Sequence, residues 1–134
     1  RRHQVTNMTA EQWDARVSDK DSIGKADVVI ADLPCSGLGV LRKKPDIKYR
    51  MQPEDIKSLI ALQREILSTV QQYVKPGGRM IYSTCTIDAG ENEENVAWFI
   101  ANHKEFEVES MEQILPDELG SDGFFIARLR KQNV

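Results

Sequence analysis

The order of apolar and amphipathic segments predicts an α/β fold with a mainly parallel sheet. A strand-like segment at 26–32 precedes an amphipathic helical segment, and a second pair of the same kind follows it. Strands that alternate with helices in this way form βαβ units, whose strands run parallel. Because ligands bind at the carboxyl ends of the strands in such sheets, we expect the functional residues directly after the strands.

The first three elements have clear boundaries in the sequence. The strand at 26–32 is an apolar run rich in β-branched residues, which is typical of a strand buried on both faces. Pro53 suits the first position of a helix, which we predict over about 53–74. One apolar stripe runs along this helix at three- and four-residue steps and contains Ile56, Leu59, Ile60, Leu67, Val70 and Val74. Pro76-Gly77-Gly78 ends it, and a second strand is predicted at 79–84.

Shorter elements are predicted on both sides of this unit. A second helix covers about 91–102, with acidic residues in its first turn and Val96, Phe99 and Ile100 facing inward. Phe106 and Val108 alternate as in a short strand, and a last strand lies at 124–127. Upstream, 8–13 is a weaker candidate strand that ends at Asp14.

Composition excludes several classes of protein. The chain has 134 residues, 40% of them hydrophobic and 29% charged, which is typical of one soluble globular domain and not of a disordered or fibrous protein. Its apolar stretches fall far short of the roughly 20 residues of a membrane span. The net charge of −3 excludes a uniformly basic nucleic-acid binder but allows a local basic patch. We expect a cytoplasmic location, because two cysteines cannot form a disulfide framework.

The two cysteines occupy equivalent places, each just after a predicted strand. Cys35 lies in the glycine-containing segment 32–39, and Cys85 lies in the segment 82–86. Taken alone, the Cys85 segment favours an inert structural thiol over a functional one. The Cys35 segment favours neither the structural nor the functional interpretation. Because neighbouring strand ends share one edge of the sheet, we expect both thiols beside Asp32 in one crevice.

Three explanations compete for this pair of thiols. A disulfide is disfavoured in a reducing compartment. A zinc site needs two further ligands, and His3 and His103 show no useful spacing for one. Two thiols beside one carboxylate therefore favour covalent catalysis.

The stretch 41–50, between the two cysteines, is strongly basic. It holds one acidic residue and five basic ones: Arg42, Lys43, Lys44, Lys48 and Arg50. Such a run is usually a solvated surface, but its place beside the cysteines favours contact with nucleic-acid phosphates.

Seven short motifs occur in a fixed order over nearly the whole chain. They are Asp32-Leu33-Pro34-Cys35-Ser36-Gly37, Pro45-Asp46-Ile47-Lys48, Gln63 with Ile66-Leu67, Pro76-Gly77-Gly78, Ser83-Thr84-Cys85-Thr86, Glu91-Asn92-Glu93 and Asp122-Gly123-Phe124-Phe125. In these motifs the chain resembles the RNA cytosine carbon-5 methyltransferases of the Sun (Fmu) family, whose bacterial members modify small-subunit ribosomal RNA. The resemblance implies a Rossmann-like, S-adenosylmethionine-dependent methyltransferase sheet, of which this chain supplies the third strand onward.

The resemblance also implies a role for each residue of the crevice. Cys85 is the nucleophile that adds to carbon 6 of the cytosine, and Cys35 assists release of the product. Asp32 contacts both the cytosine and the cofactor, while Asp14 resembles the acidic residue that binds the adenine of S-adenosylmethionine. Pro34 belongs to the cofactor-contacting segment. Thiol addition makes carbon 5 reactive toward the methyl group, and the base must first be unstacked or single-stranded.

The chain departs from the family in what it lacks. It begins at Arg1 without an initiator Met or a signal-peptide pattern. The family's glycine-rich cofactor loop and N-terminal RNA-binding region are absent. We therefore expect residues 1–134 to be the C-terminal portion of a catalytic domain and to be inactive alone. The expected partners are RNA and the N-terminal half of the same enzyme, with no membrane.

Two alternatives remain open at this point. In DNA cytosine carbon-5 methyltransferases the nucleophile is the cysteine after the fourth-strand proline, which here is Cys35; the motif around Cys85 favours the RNA enzyme. The second alternative is a truncated, non-catalytic module that binds only RNA or a partner. Binding of S-adenosylmethionine would distinguish an enzyme from such a module.

Overall fold

The computed structural model describes residues 12–33, 53–86, 89–115 and 123–133, which form a four-stranded sheet and two α-helices. The strands are β1 (Ala26–Asp32), β2 (Val74–Thr84), β3 (Phe106–Ile114) and β4 (Phe124–Lys131). The helices are α1 (Pro53–Val70) and α2 (Glu93–Asn102), and two short 3-10 helices lie at Lys20–Ser22 and Gln71–Tyr73. No helix in the described part of the chain is long and apolar enough to cross a membrane.

The sheet has the strand order β1-β2-β4-β3 and is mixed. β1 and β2 run parallel, whereas β4 is antiparallel to both β2 and β3. The α/β class is confirmed, but the prediction of a mainly parallel sheet is wrong for the described strands. The connection from Ile114 to Phe124 is shorter than the roughly dozen residues of a parallel crossover, so β3 and β4 pair as antiparallel neighbours.

The core lies between one face of the sheet and the two helices. It is formed by side chains that are nearly inaccessible to solvent, among them Leu67, Met80, Phe99, Phe125 and Leu129. The amphipathic stripe of α1 and the inward residues of α2 supply the helical side of this core, as the periodicity predicts.

The opposite face of the sheet is largely open among the described residues. Val28 and Ile30 on β1 are 50% and 70% exposed, and Phe124 and Ile126 on β4 are each 38% exposed. The prediction that β1 is buried on both faces is therefore wrong here. An apolar run of this kind belongs to a strand with helices on both sides, and α1 and α2 cover one side.

Several boundaries differ from the predicted ones. α1 ends at Val70, because the chain tightens into the 3-10 helix Gln71–Tyr73. β2 begins at Val74, so the Pro-Gly-Gly motif lies inside the strand and does not precede it. The motif is accommodated there because Gly77 adopts a positive φ of 83°, which glycine reaches without steric penalty.

The other differences are at the ends of shorter elements. α2 begins at Glu93, two residues later than predicted, and β3 extends to Ile114. β4 extends to Lys131. Of the candidate strand at 8–13, the described residues 12–13 are not in a strand, and the others lie outside the described residues.

Candidate active site

The carboxyl ends of β1 and β2 lie side by side, as the sequence predicts. The parallel register pairs Asp32 with Ser83. The Ser83 hydroxyl donates a hydrogen bond to Asp32 Oδ1 at 3.4 Å. Cys85 follows directly after the last residue of β2. The sheet therefore brings the carboxylate and the strand end that carries the thiol to one edge.

Cys85 is exposed, in contrast to both residues beside it. Thr84 is 1% and Thr86 0% exposed, whereas the thiol between them reaches solvent. Cysteine is among the residues most often buried when its role is only structural. An exposed thiol on a buried frame is accessible to a substrate.

The frame beneath Cys85 is a cluster of buried polar side chains, which we call the polar cluster. Its members, each at most 1% exposed, are Gln63, Thr84, Thr86, Glu91, Asn92 and Asn95. Buried polar groups are costly unless they are hydrogen-bonded. Among the described residues, no buried side-chain nitrogen or oxygen lacks a partner.

Asn92 holds the two threonines that flank Cys85. Thr84 Oγ1 donates to Asn92 Oδ1 at 2.6 Å, and Asn92 Nδ2 donates to the carbonyl oxygen of Thr86 at 2.9 Å. The same amide nitrogen donates to Gln113 Oε1 at 2.7 Å. One side chain thus connects the turn after β2 to α2 and to β3.

Glu91 links this turn to α1. Gln63 Nε2 donates to Glu91 Oε1 at 3.0 Å, and Thr86 Oγ1 donates to Glu91 Oε2 at 3.3 Å. The Tyr82 hydroxyl donates to the Glu91 carbonyl oxygen at 2.5 Å. The helix predicted at 91–102 would place Glu91 in its acidic first turn. In the structure Glu91 is fully buried and precedes α2.

One position in the sequence indicates a buried polar group next to α1. Gln63 lies on the apolar stripe of α1, between Ile60 and Leu67, and is 0% exposed. A polar residue on an otherwise apolar stripe must find a partner inside the protein. Its position therefore indicates a buried hydrogen-bonding group on a neighbouring element.

Asp14 is paired with Arg16. Asp14 Oδ1 accepts from the Arg16 backbone nitrogen at 2.9 Å and from Nε at 3.0 Å, and Oδ2 accepts from Nη2 at 2.8 Å. Hydrogen bonds from the Arg16 side chain are the main cause that lowers the pKa of Asp14 to about 2. Asp14 is therefore ionised at neutral pH.

The loop that carries Asp14 packs at the other end of the sheet. Thr69, near the end of α1, donates to the Arg16 carbonyl oxygen at 3.2 Å. The Asp19 backbone nitrogen donates to the Tyr73 hydroxyl at 2.8 Å, just before β2 begins. A cavity of about 470 Å³ lies here, lined in part by Trp13, Lys25 and Tyr73. The described contacts do not bring Asp14 to the edge that holds Cys85.

The remaining predicted site residues lie outside the described residues. These are Pro34 and Cys35, and the basic residues Arg42, Lys43, Lys44, Lys48 and Arg50. Within the described ranges, His, Cys, Asp and Glu side chains form no group of three suited to a metal ion.

Known proteins are similar to this chain in both sequence and fold. The family model described as 16S rRNA methyltransferase RsmB/F matches residues 1–130. The probable ribosomal RNA small subunit methyltransferase B of Bacillus subtilis is 40% identical over 146 residues, covering 96% of this chain and 33% of that protein. The chain thus spans about a third of the length of this relative.

Two solved structures from Pyrococcus horikoshii agree with this match. NSun6, solved with SFG, superposes with a TM-score of 0.79 at 31% identity, over 95% of this chain and 35% of that one. A methyltransferase homologue protein superposes with a TM-score of 0.64 at 28% identity, over 78% of this chain and 39% of that one. The predicted Rossmann-like methyltransferase fold is confirmed, as is the resemblance read from the motifs. The chain belongs to the 16S rRNA methyltransferase RsmB/F family.

Proposed function

We propose that this chain is the nucleophile-bearing part of an S-adenosylmethionine-dependent enzyme that methylates carbon 5 of a cytosine in small-subunit ribosomal RNA. The observation that carries the proposal is the exposed Cys85 at the end of β2, next to the strand end that holds Asp32. The family description and the name of the Bacillus subtilis relative support ribosomal RNA as substrate. SFG, an analogue of S-adenosylmethionine, supports the cofactor.

The residue types suit a covalent route. Cys85 adds as a thiolate to carbon 6 of the cytosine, forming a carbon–sulfur bond and moving the electron pair onto carbon 5. S-adenosylmethionine supplies the methyl group that carbon 5 accepts. Carbon 5 then gives its proton to a base, the carbon–sulfur bond breaks as the ring double bond re-forms, and the thiolate of Cys85 is restored with Cys35 assisting. The covalent adduct divides one difficult substitution into easier steps.

Asp32 is suited to hold the nitrogen edge of the base during these steps. Its carboxylate is exposed and, among the described residues, accepts a hydrogen bond from Ser83, whereas a carboxylate can take roughly four. A carboxylate there can hold a proton on the ring nitrogen, which offsets the negative charge that the ring gains as the thiolate adds. The same carboxylate is proposed to contact the cofactor, because Asp32 opens the sequence motif that contains Pro34.

Asp14 is the proposed ligand of the cofactor's adenine. Among the described residues it accepts three hydrogen bonds, all from Arg16, of the roughly four that a carboxylate can take. The support for this role is the resemblance of the motif Trp13-Asp14-Ala15.

We further propose that residues 1–134 are the C-terminal portion of the catalytic domain and transfer no methyl group alone. The open face of the sheet supports this, because Val28 and Ile30 form an apolar surface of the kind that α/β proteins cover with helices. The share of about a third of the Bacillus subtilis protein is consistent with a larger enzyme.

Release of tritium from carbon 5 tests the proposed reaction. The complete protein is incubated with S-adenosylmethionine and small-subunit ribosomal RNA that carries tritium at carbon 5 of its cytosines. We expect one tritium released for each methyl group transferred, since substitution at carbon 5 must expel that hydrogen. Methyl transfer without tritium release would place the methyl group on another atom. A DNA of the same sequence, preferred over the RNA, would favour the DNA enzyme.

A further inference from the structure

We propose that Asn92 is a positioning residue that holds Cys85 in its reactive geometry. It acts through the two threonines on either side of the thiol, and it touches neither substrate nor cofactor. The inference rests on the proposed function, because only a nucleophilic role gives the orientation of Cys85 a catalytic meaning.

The first observation is that one amide holds both flanks of the thiol. Asn92 Oδ1 accepts from the Thr84 side chain, and Asn92 Nδ2 donates to the Thr86 backbone carbonyl. Cys85 is therefore the exposed middle residue of a three-residue segment whose ends are both tied to one buried group. Rotation of this segment would break at least one of the two bonds.

The second observation is that Asn92 does not cap the helix it precedes. It occupies the N-cap position of α2, where asparagine is among the preferred residues because its side chain can accept from the first turn. The Asn92 side chain makes no such bond to the described first turn. Its amide is directed instead to the turn that carries Cys85, so its contacts serve that turn and not the start of the helix.

The third observation is that Asn92 is itself fixed in orientation. Its Nδ2 also donates to Gln113 Oε1 at 2.7 Å, and Gln113 Nε2 donates to the Phe124 carbonyl oxygen at 2.9 Å. The Nδ2 atom faces two acceptors, so a flipped amide would place its oxygen against the Thr86 carbonyl oxygen and lose that bond. Asn92 is 0% exposed, so water does not compete for these bonds.

A small displacement of a reacting atom has a large effect on rate. A shift of about 1 Å, even when its cause lies away from the chemistry, can slow an enzyme roughly hundredfold. Loss of the hydrogen bond between Asn92 and Thr84, or between Asn92 and Thr86, is therefore expected to slow attack by Cys85 and to leave the affinities for RNA and cofactor unchanged.

The first test compares Thr84→Val with Thr84→Ser in the complete protein. Valine keeps the shape of threonine but removes the donor to Asn92, whereas serine keeps the hydroxyl. The probe is an RNA in which the target cytidine is fluorinated at carbon 5, which traps the covalent adduct. We expect Thr84→Val to form the adduct about tenfold to hundredfold more slowly at saturating RNA. Thr84→Ser is expected to form the adduct at the wild-type rate.

The second test uses Asn92→Asp, which keeps the acceptor for Thr84 and removes both donated bonds. Asn102→Asp is the matched control, because Asn102 ends the helix that Asn92 precedes and its amide, among the described residues, bonds only to the Trp98 carbonyl oxygen. We expect slow adduct formation with unchanged RNA affinity in Asn92→Asp. The control is expected to match the wild-type protein.

The outcomes separate this inference from the proposed function. Absence of any adduct in the wild-type protein would contradict the proposed function. An adduct in the wild-type protein that forms equally fast in Thr84→Val and Asn92→Asp would overturn the positioning role. A loss of rate that follows only the loss of folded protein in both variants would assign Asn92 to the fold, and this too would overturn it.

Discussion

Ser83 and Asp32 meet across the parallel pair β1 and β2, where the serine hydroxyl donates to the carboxylate at 3.4 Å from a position 51 residues away in the chain. The bond is long and exposed, so it contributes little to holding the strands together. The register of the sheet brings the two residues together. Among the described residues, the carboxylate of Asp32 therefore has hydrogen-bonding capacity beyond the bond from Ser83.

This relationship predicts unequal effects of two substitutions. Asp32→Asn is expected to lower kcat for methyl transfer roughly hundredfold to thousandfold, because it removes the carboxylate that holds a proton on the ring nitrogen as the ring gains negative charge. Ser83→Ala is expected to change kcat less than about threefold, since the lost bond is weak. Steady-state methylation of ribosomal RNA by the complete protein measures both. Equal losses in the two variants would show that Ser83, too, acts on the reaction.

Local patterns were enough to predict the elements around the site. The run of β-branched residues gave the bounds of β1 at Ala26–Asp32, and Pro53 marked the start of α1. Both are short-range signals, since β-branched residues favour an extended backbone locally and proline suits the first turn of a helix. The meeting of the two strand ends followed from the general geometry of parallel sheets.

Features that depend on distant partners were not predictable in the same way. Phe106–Ile114 is long and mostly exposed, and its antiparallel pairing with β4 is not visible in its own alternation. The contacts of Asn92 with Thr84 and Gln113 join three elements, and no spacing in the sequence indicates them. The burial of Glu91 also depends on distant partners, since it bonds to Gln63 on α1. An acidic residue near a helix start usually faces solvent, so the sequence predicts the opposite.

The open face of the sheet predicts that Ile30 is covered in the complete protein. Ile30 is 70% exposed to solvent in the described residues. If the rest of the enzyme packs on this face, Ile30→Thr should lower the free energy of unfolding of the complete protein by about 1.5–3 kcal/mol. Leu67→Ala, at a position already 1% exposed, is the positive control and should cost about 2–5 kcal/mol. Denaturant unfolding measures both, and no effect of Ile30→Thr would indicate that the face stays open.

His103 gives the fold a pH dependence of known sign. Its ring stacks on the ring of Phe99, with the two ring centroids 4.5 Å apart. Burial lowers the pKa of His103 below 6.5, against the opposing charge of Glu105. The unfolded chain therefore binds more protons than the folded chain near pH 6, so the stability due to His103 falls as the pH falls below 6.5.

The measurement is the free energy of unfolding of the wild-type protein and of His103→Gln at a series of pH values. We expect the difference, wild type minus variant, to grow as the pH rises toward 7. A difference that shrinks over the same range would mean that the folded protein favours the charged ring.

The basic stretch at 41–50 predicts a salt-dependent affinity for RNA. Replacing Arg42, Lys43 and Lys44 with Ala in the complete protein should weaken binding to all sequences. It should also reduce the slope of log K against log salt by about two, at roughly 0.7 for each phosphate contact to a single strand. Lys57→Ala with Lys104→Ala, on α1 and two residues after the end of α2, is the control for loss of basic charge elsewhere and should leave the slope unchanged. An unchanged slope in the triple variant would exclude the patch from the RNA interface.

The most direct test of the account is which cysteine becomes linked to RNA. A covalent intermediate accumulates only when it still forms and can no longer break down. Cys85→Ala and Cys35→Ala variants of the complete protein are therefore incubated with ribosomal RNA and S-adenosylmethionine, and the products are separated on denaturing gels. The account predicts no adduct and no methylation with Cys85→Ala, and a stable protein–RNA adduct through Cys85 with Cys35→Ala. An adduct that forms with Cys85→Ala and not with Cys35→Ala would contradict it and would make Cys35 the nucleophile.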